Sequence, residues 1–184
     1  MKKIALIAAL ISALGASAGM KFASVDLLVL ARNHPNYDSN KELLQSTEKD
    51  YQKKLDAMKS ELEKVQEEGK TLAEQSRNPM LAAAAKQKLE KDLIDVQNRF
   101  LAGQQRLRNE AMRSQQDLQD LEARLLKATT ADLRKRIGRY AEKNGYDFIF
   151  DANAAPYSRK SYDVTDAMLK EMGVDPAEAR REGK

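Results

Sequence analysis

The fold of this chain is constrained most by a long helical pattern. Residues 41–144 contain a single proline and few glycines, and their apolar residues recur at alternating spacings of three and four. Such spacing makes a narrow apolar stripe along a helix, which is typical of a coiled-coil seam rather than of the wider face of a globular helix. A slender helix of this kind is not stable alone in water, so its stripe needs a partner.

The strongest break in this pattern is Asn78-Pro79. Proline disfavours helical geometry at the residue before it and suits the first turn of a new helix. We therefore predict an antiparallel hairpin over residues 41–140, with its tip near residues 76–80. The alternative is a single rod that is kinked at the proline, which is the known exception to the boundary rule.

The apolar positions of the two helices predict how they pair. In antiparallel order, we expect Leu62 to lie near Leu93. The stripe loses its register between Leu107 and Asp117, and a break of this kind locally changes the winding of a coiled coil. We expect this part of the hairpin to bend and open more easily than its ends. Alternatively, the break marks the place where the helix enters the globular part of the chain.

Residues 1–18 have the layout of a cleaved export signal. Lys2-Lys3 precedes an apolar run from Ile4 to Leu14, and Ala16-Ser17-Ala18 is a small-x-small cleavage site. The apolar run is shorter than the roughly 20 residues that a membrane-spanning helix needs. The sequence has no cysteine, so it offers neither a lipid-acceptor residue nor a disulfide framework. We predict cleavage after Ala18 and export of the mature chain.

The charge of the chain is distributed unevenly. Loss of Lys2 and Lys3 lowers the formal net charge from +4 to +2, so the pI of about 9.1 overstates any attraction to nucleic acid. Aromatic residues, on which single strands would stack, are scarce along the hairpin, and we predict no nucleic-acid partner. Residues 77–113 hold eight basic and four acidic residues, whereas residues 51–76 hold five and six. The returning helix is therefore basic near the tip.

Short strand-like segments lie at both ends of the helical stretch. Lys21–Val25 precedes it, and Tyr146–Asp151 follows it with the period-two pattern of a strand. Asn144-Gly145 is a good helix stop between the two patterns. Beyond a turn, we predict a further strand at residues 157–161 and a final helix that Thr165 caps.

These patterns predict an α+β fold that is mostly α. The long antiparallel hairpin of residues 41–140 forms a coiled-coil arm, and residues 19–40 and 141–184 form a small β-containing body. A body this small, without disulfides or a metal cluster, needs to associate with other copies. We expect its apolar residues to form the shared oligomer core: Phe22, Val25, Leu28, Phe148, Phe150 and Leu169.

Residue patterns for catalysis are missing from the sequence. His34 is the single histidine and precedes Pro35 at the end of a predicted helix, where we expect a surface turn or cap role. No cysteine, second histidine or serine-centred motif accompanies it. The chain also lacks a phosphate-binding glycine loop, so nucleotide-driven cycling is not expected. We predict a protein that is not an enzyme and that uses no cofactor and no metal.

Several segments, taken in order, resemble the Skp (OmpH) family of periplasmic chaperones. They are the strand at Lys21–Val25, the hairpin with KLEKD at residues 88–92, YDFIFDANA at residues 146–154 and DVT at residues 163–165. Pro156 departs from the family pattern at the edge of the strand predicted at residues 157–161. The resemblance implies a homotrimer with a β body and α-hairpin arms around a cavity. It also implies an ATP-independent holdase that binds unfolded outer-membrane β-barrel proteins and prevents their aggregation.

The working surface of such a protein is expected on the hairpin. Methionine can provide an adaptable apolar surface, although seam packing is the favoured interpretation for Met58. Basic residues are expected to attract acidic clients or anionic lipid heads, or else are solvated coiled-coil faces. The candidate client-binding residues are Met58, Leu72, Met80, Leu81, Lys86, Lys88, Arg99, Arg106, Arg108 and Arg113. The alternative function is a non-catalytic coiled-coil adaptor or spacer of the envelope.

Overall fold

The computed structural model describes residues 19–180, and the predicted signal of residues 1–18 lies outside this range. The described chain divides into compact units. The hairpin unit comprises Asp38–Lys127, and the body unit comprises residues 19–37 and 128–180. Helices dominate, and a small sheet lies in the body, so the predicted α+β, mostly α fold is confirmed. Between residues 19 and 180, no helix has the length and apolar character that a bilayer crossing requires.

Long helices supply the hairpin unit. Helix α2 spans Tyr37–Ser76, and helix α3 spans Ala83–Asn144. At 1.5 Å per residue, these spans correspond to about 60 Å and about 93 Å of helix. α2 begins before the predicted start at residue 41, because the N–H of Tyr37 already donates to the carbonyl of His34 at 2.8 Å.

The chain leaves helical geometry between α2 and α3, at residues 77–82. The side-chain oxygen of Asn78 accepts the N–H of Met80 at 3.0 Å, which is the usual way in which an asparagine stabilises a turn. The alternative of a single kinked rod is therefore wrong.

In the hairpin unit, α2 and α3 run antiparallel. Polar pairs join them, among them Tyr51 with Asp117 at 3.2 Å, Lys54 with Glu110 at 2.6 Å, and Glu68 with Arg99 at 3.0 Å. Between these pairs, Leu62 packs against Gly103. The prediction that Leu62 lies near Leu93 is wrong. The length of the loop explains this error. Because α3 starts only at Ala83, the residues of α3 that pair with α2 lie further along the chain than a tight turn at Pro79 would place them.

Glycines let the helices approach closely in this seam. A Cβ atom added to Gly103 would lie 2.6 Å from Cδ2 of Leu62, and one added to Gly69 would lie 3.1 Å from Cγ1 of Val96. The first distance is shorter than real Cβ contacts, so a side chain at position 103 would displace Leu62. Val96 is itself buried in the seam. At these two points the helices thus occupy space that a side chain on the glycine would otherwise fill.

The sheet of the body pairs β1, Phe22–Val25, with β2, Phe148–Asp151, in parallel. Phe22 is aligned with Phe148, and Ser24 with Phe150. These two of the three predicted strands are confirmed, with starts one or two residues later than expected. Ala23 and Val25 of β1 are buried, because their side chains point to the face of the sheet that covers the body core.

Short helices pack around the body core with the last turns of α3. They are α1, Leu27–Arg32; α4, Thr165–Glu171; and α5, Pro176–Ala179. The core consists of Ala23, Val25, Leu30, Leu133, Tyr140, Val164, Met168, Leu169 and Ala179. Since Leu133 and Tyr140 belong to this core, residues 128–140 lie with the body, whereas the sequence prediction assigned them to the hairpin.

Local sequence signals explain where helices of the body begin and end. The Asp26 carboxylate caps α1 by accepting the N–H groups of Leu28 and Val29 at 3.0 and 3.1 Å. Gly145 has a φ of +67°, and the N–H of Tyr146 donates to the carbonyl of Ala141 at 2.9 Å. This is the geometry that glycine permits after a helix, and it confirms the predicted end of α3.

Two predictions about the C-terminal segment are wrong. Residues 157–161 do not form a strand, because the N–H of Tyr162 donates locally to the carbonyl of Arg159 and makes a 3₁₀ turn. Thr165 does not cap α4 but begins it, and the Asp163 carboxylate accepts its N–H at 2.9 Å. The Thr165 hydroxyl instead accepts the N–H of Asp26 at 2.9 Å, which links α4 to the end of β1.

We predict that Gly103→Val lowers the free energy of unfolding by about 2 kcal/mol, because the new side chain overpacks the seam against Leu62. Urea denaturation followed by circular dichroism measures the change. Gly138→Val is the matched control, since nothing lies within 4 Å of a Cβ at this helical position, and a change within about 0.5 kcal/mol is expected. Equal effects of both substitutions would contradict the proposed importance of the close approach.

Candidate binding surfaces

A cluster of exposed phenylalanines covers one face of the body sheet. The parallel register brings the rings of Phe22, Phe148 and Phe150 to this face. Their centroids lie 5.7 Å apart for Phe22 and Phe148, 5.9 Å for Phe148 and Phe150, and 6.3 Å for Phe22 and Phe150. The three residues remain 42%, 48% and 51% exposed. Stacked aromatic side chains that stay accessible to this degree are typical of a surface that binds another protein.

The other predicted residues of the oligomer core fall into two groups. Leu28 on α1 is exposed, like the phenylalanines. Val25 and Leu169 are fully buried within the core of a single chain, so neither is accessible to a partner. β2 also keeps an open edge in the described chain, because the sheet consists of β1 and β2 and the bridge to Asp163 lies on β1.

The hairpin brings some of its predicted client-binding residues together. Met58, Arg99 and Arg106 line a groove of about 110 Å³ beside Leu62 and Gly103. Met58 is half-buried there, as expected of a seam residue. The Arg99 guanidinium bonds to Glu68 at 3.0 Å, and this contact raises its pKa. Arg99 therefore serves pairing of the helices.

The remaining predicted residues lie apart from this groove. Met80 is 89% exposed in the loop, while Leu72 and Leu81 are half-buried nearby in the chain. The basic residues Lys86, Lys88, Arg108 and Arg113 are all exposed along α3. Arg108 donates to the side chain of Gln105 at 3.0 Å. These cations form an open, solvated surface rather than a pocket.

A polar section interrupts the seam where the sequence pattern weakens. The contacts of Tyr51 with Asp117 and of Lys54 with Glu110 lie on either side of Ser114. Ser114 is buried, and its hydroxyl oxygen has no hydrogen-bond partner among residues 19–180. A buried polar atom without a partner weakens packing. The expectation that this section opens more easily than the ends stays a prediction.

His34 is buried, so the expected surface position is wrong, although it does lie in a turn. Its Nδ1 accepts the N–H of Asn36 at 3.1 Å, and its Nε2 lies 3.0 Å from the carboxylate of Asp132 on α3. Arg136 donates to the same carboxylate at 2.6 Å. The hydrogen bonds of Arg136 and His34 lower the pKa of Asp132 to about 2. This cluster fastens the turn between α1 and α2 to α3 within the body.

Across residues 19–180, no group of three or more His, Asp or Glu side chains is arranged to hold a metal ion.

The sequence prediction missed apolar residues on the outer side of α3. Ile94, Leu101 and Met112 are 59%, 54% and 68% exposed. Ile94 and Leu101 directly follow Leu93 and Phe100, which the periodicity assigns to the seam, and they were therefore overlooked. Plotting all residues of α3 at 100° per residue, rather than the seam positions alone, would have found them.

Nearly the whole chain is similar to known proteins. The family model described as "Outer membrane protein (OmpH-like)" matches residues 21–172. "Chaperone protein Skp" of Yersinia enterocolitica is 27% identical over 179 residues, which cover 94% of this chain and 99% of that protein. The family match includes both strands, both long helices and α4.

We predict that Asp132→Asn destabilises the body at neutral pH. The pKa of Asp132 is lower in the folded chain, so its ionised form stabilises the fold above about pH 4, and this contribution is lost as the pH falls towards 2. The side chain is 37% exposed, and screening limits the expected loss to roughly 1 kcal/mol. Urea denaturation at pH 7, 4 and 3 measures it, and the difference from wild type should shrink as the pH falls.

Asp50→Asn is the control for this substitution. Asp50 forms an exposed pair with Lys53 on α2, and removal of such a pair is expected to change stability by less than about 0.5 kcal/mol. A pH-independent difference between Asp132→Asn and wild type would contradict the role of the charged cluster.

Proposed function

The chain belongs to the OmpH-like family, and we propose from this membership that it is a periplasmic chaperone of outer-membrane proteins. Its similarity to a protein named as a chaperone, over 99% of that protein's length, supports the proposal. The finer proposal is an ATP-independent holdase, which binds unfolded β-barrel proteins and prevents their aggregation. Its activity is then binding and not catalysis. The signal-like residues 1–18, which lie outside the described range, are the reason for proposing the periplasm.

We propose that the functional form is a homotrimer, the number three being carried by the family resemblance. The observation that supports association is the exposed phenylalanine cluster of Phe22, Phe148 and Phe150. Each square ångström of apolar surface that a partner removes from water contributes about 25 cal/mol. The open edge of β2 provides backbone groups beside the cluster for pairing with a neighbouring copy.

We propose that clients bind to the hairpins, in a cavity that the hairpins of the trimer enclose. A holdase must bind many different unfolded chains, so its contacts need to be numerous, individually weak and adaptable. The exposed methionine and cations of the hairpin fit this requirement. Several hairpins that bind one client at the same time raise the overall affinity far above that of a single contact.

The holdase proposal is tested by diluting a urea-denatured β-barrel membrane protein into buffer that contains the mature protein without ATP. Light scattering is expected to stay low, and native mass measurement is expected to give a trimer. The double variant Phe148→Ser/Phe150→Ser should become monomeric and suppress aggregation at least about fivefold less, because several hairpins no longer act on one client.

Tyr157→Ser is the control for the double variant, because Tyr157 is 80% exposed and does not belong to the cluster. It should retain both the trimer and the activity. A wild-type monomer that leaves light scattering unchanged would instead favour the adaptor interpretation.

A separate prediction concerns the cations of α3. Reversal of Lys86, Lys88, Arg106 and Arg108 to Glu is expected to weaken binding of an acidic client about tenfold at low salt, and the loss should disappear at high salt. Arg99 is left unchanged because it pairs with Glu68. The matched control reverses four lysines of α2: Lys41, Lys49, Lys53 and Lys64. Unchanged binding at low salt would reject the electrostatic contribution.

A further inference from the structure

The outer side of α3 carries a continuous stripe that the seam does not use. Residues at steps of three or four share one face of a helix. We define the α3 stripe as Ile94, Asn98, Leu101, Gln105, Arg108, Met112, Gln116, Gln119, Ala123 and Leu126. All of these residues are exposed and lie within the hairpin unit. At 100° per residue, Ile94 lies about 160° around the helix from the buried Val96, so this part of the stripe faces away from the seam. Gln119 lies nearer to α2 and lines a groove with Leu44 and Glu48.

The composition of the stripe differs from that of the rest of the hairpin. Its large side chains are apolar or carry amides, Arg108 supplies its single charge, and it contains no acidic residue. One third of all residues in the chain are charged, so a stripe of this length with one charge is unusual for a solvated coiled-coil face. Within the described hairpin unit, α2 exposes a large apolar side chain only at Leu43. The stripe therefore distinguishes the outer side of α3 from that of α2.

The spacing of the apolar residues indicates what kind of partner fits. Ile94, Leu101, Met112 and Leu126 are seven or more residues apart, which is about 10 Å or more along the helix. A second helix needs an apolar residue every three or four positions to form a seam, and the stripe does not offer this. Packing of another hairpin along it is therefore disfavoured.

The amides between the apolar residues favour an extended chain. Asn and Gln side chains each offer two N–H donors and a carbonyl acceptor. An unfolded segment presents unpaired backbone N–H and C=O groups together with scattered apolar side chains, whereas a folded partner has already paired its backbone. The stripe spans about 48 Å, which matches about 14 residues of extended chain.

We propose that the α3 stripe is the surface on which the hairpin holds unfolded polypeptide. This proposal rests on the chaperone function proposed above and specifies its binding surface. Contacts along the stripe combine apolar burial at Ile94, Leu101 and Met112 with exchangeable amide hydrogen bonds. Because the surface is nearly uncharged, binding to it depends little on ionic strength. The exposed cations of α3 outside the stripe then add affinity for acidic client segments.

The test uses the mature protein and a fluorescent, urea-denatured eight-stranded outer-membrane β-barrel protein. The triple variant Ile94→Gln/Leu101→Gln/Met112→Gln keeps helix-forming residues and leaves the seam intact. We expect it to bind the client about tenfold more weakly than wild type, at low and at high salt alike. Leu43→Gln is the matched control on α2 and should bind within about twofold of wild type, as expected for a surface change outside the stripe.

The outcomes separate this proposal from the chaperone function itself. If wild type suppresses aggregation and the triple variant binds equally well, clients use another surface, and the stripe proposal is overturned alone. If wild type neither binds nor suppresses aggregation, the chaperone function fails, and the stripe proposal fails with it. A change in the native mass of the free triple variant would identify the stripe as a contact between copies and would also overturn the proposal.

A second measurement applies if the triple variant loses its helical circular dichroism signal. A photo-crosslinking amino acid placed at Leu101 in the otherwise native chain should then capture the client. The same amino acid at Lys59, which is exposed on α2, serves as the control and should capture it much less. Equal capture at both positions would reject the stripe.

Discussion

The narrow seam between α2 and α3 is the constraint on which the hairpin depends. Within the described hairpin unit, only Val65, Val96 and Ser114 are buried, and Gly69 and Gly103 allow the helices to approach closely. A seam this thin protects few side chains from water. Most of the surface of both helices therefore remains exposed, including the sparse apolar residues on the outer side of α3. The polar section around Ser114 further limits the stability that the seam supplies.

The body, unlike the hairpin, has a packed core. Its core buries Val25, Leu30, Met168 and Leu169 completely, so a single chain has a packed interior. The body core nevertheless covers only one face of the sheet. The phenylalanine cluster occupies the uncovered face, which explains why Phe148 and Phe150 of β2 remain about half exposed. The association proposed above would cover this face, and the sequence has no cysteine that could form a stabilising disulfide instead.

Local signals were predictable, and contacts between distant residues were not. The helix break before Pro79, the strand at Phe148–Asp151 and the stop at Gly145 all follow from preferences of a few adjacent residues. The pairing of Leu62 was missed because it depends on the length of the loop, which no short motif encodes. The burial of His34 was missed because its partner, Asp132, is 98 positions away. Ile94 and Leu101 were missed because a periodicity search rewards the seam and ignores the opposite side of the helix.

The sequence by itself determined the class of fold, the presence of a helical hairpin and the resemblance to a family, because periodicity, breakers and short motifs are local properties of the chain. Tertiary structure alone decided which residues remain accessible. It buried Val25 and Leu169, left Phe22, Phe148 and Phe150 exposed, and kept Ile94, Leu101 and Met112 of the α3 stripe accessible. Accessibility is a property of packing between segments that are far apart in sequence, so the surfaces available for binding appear only when the register of those segments is known.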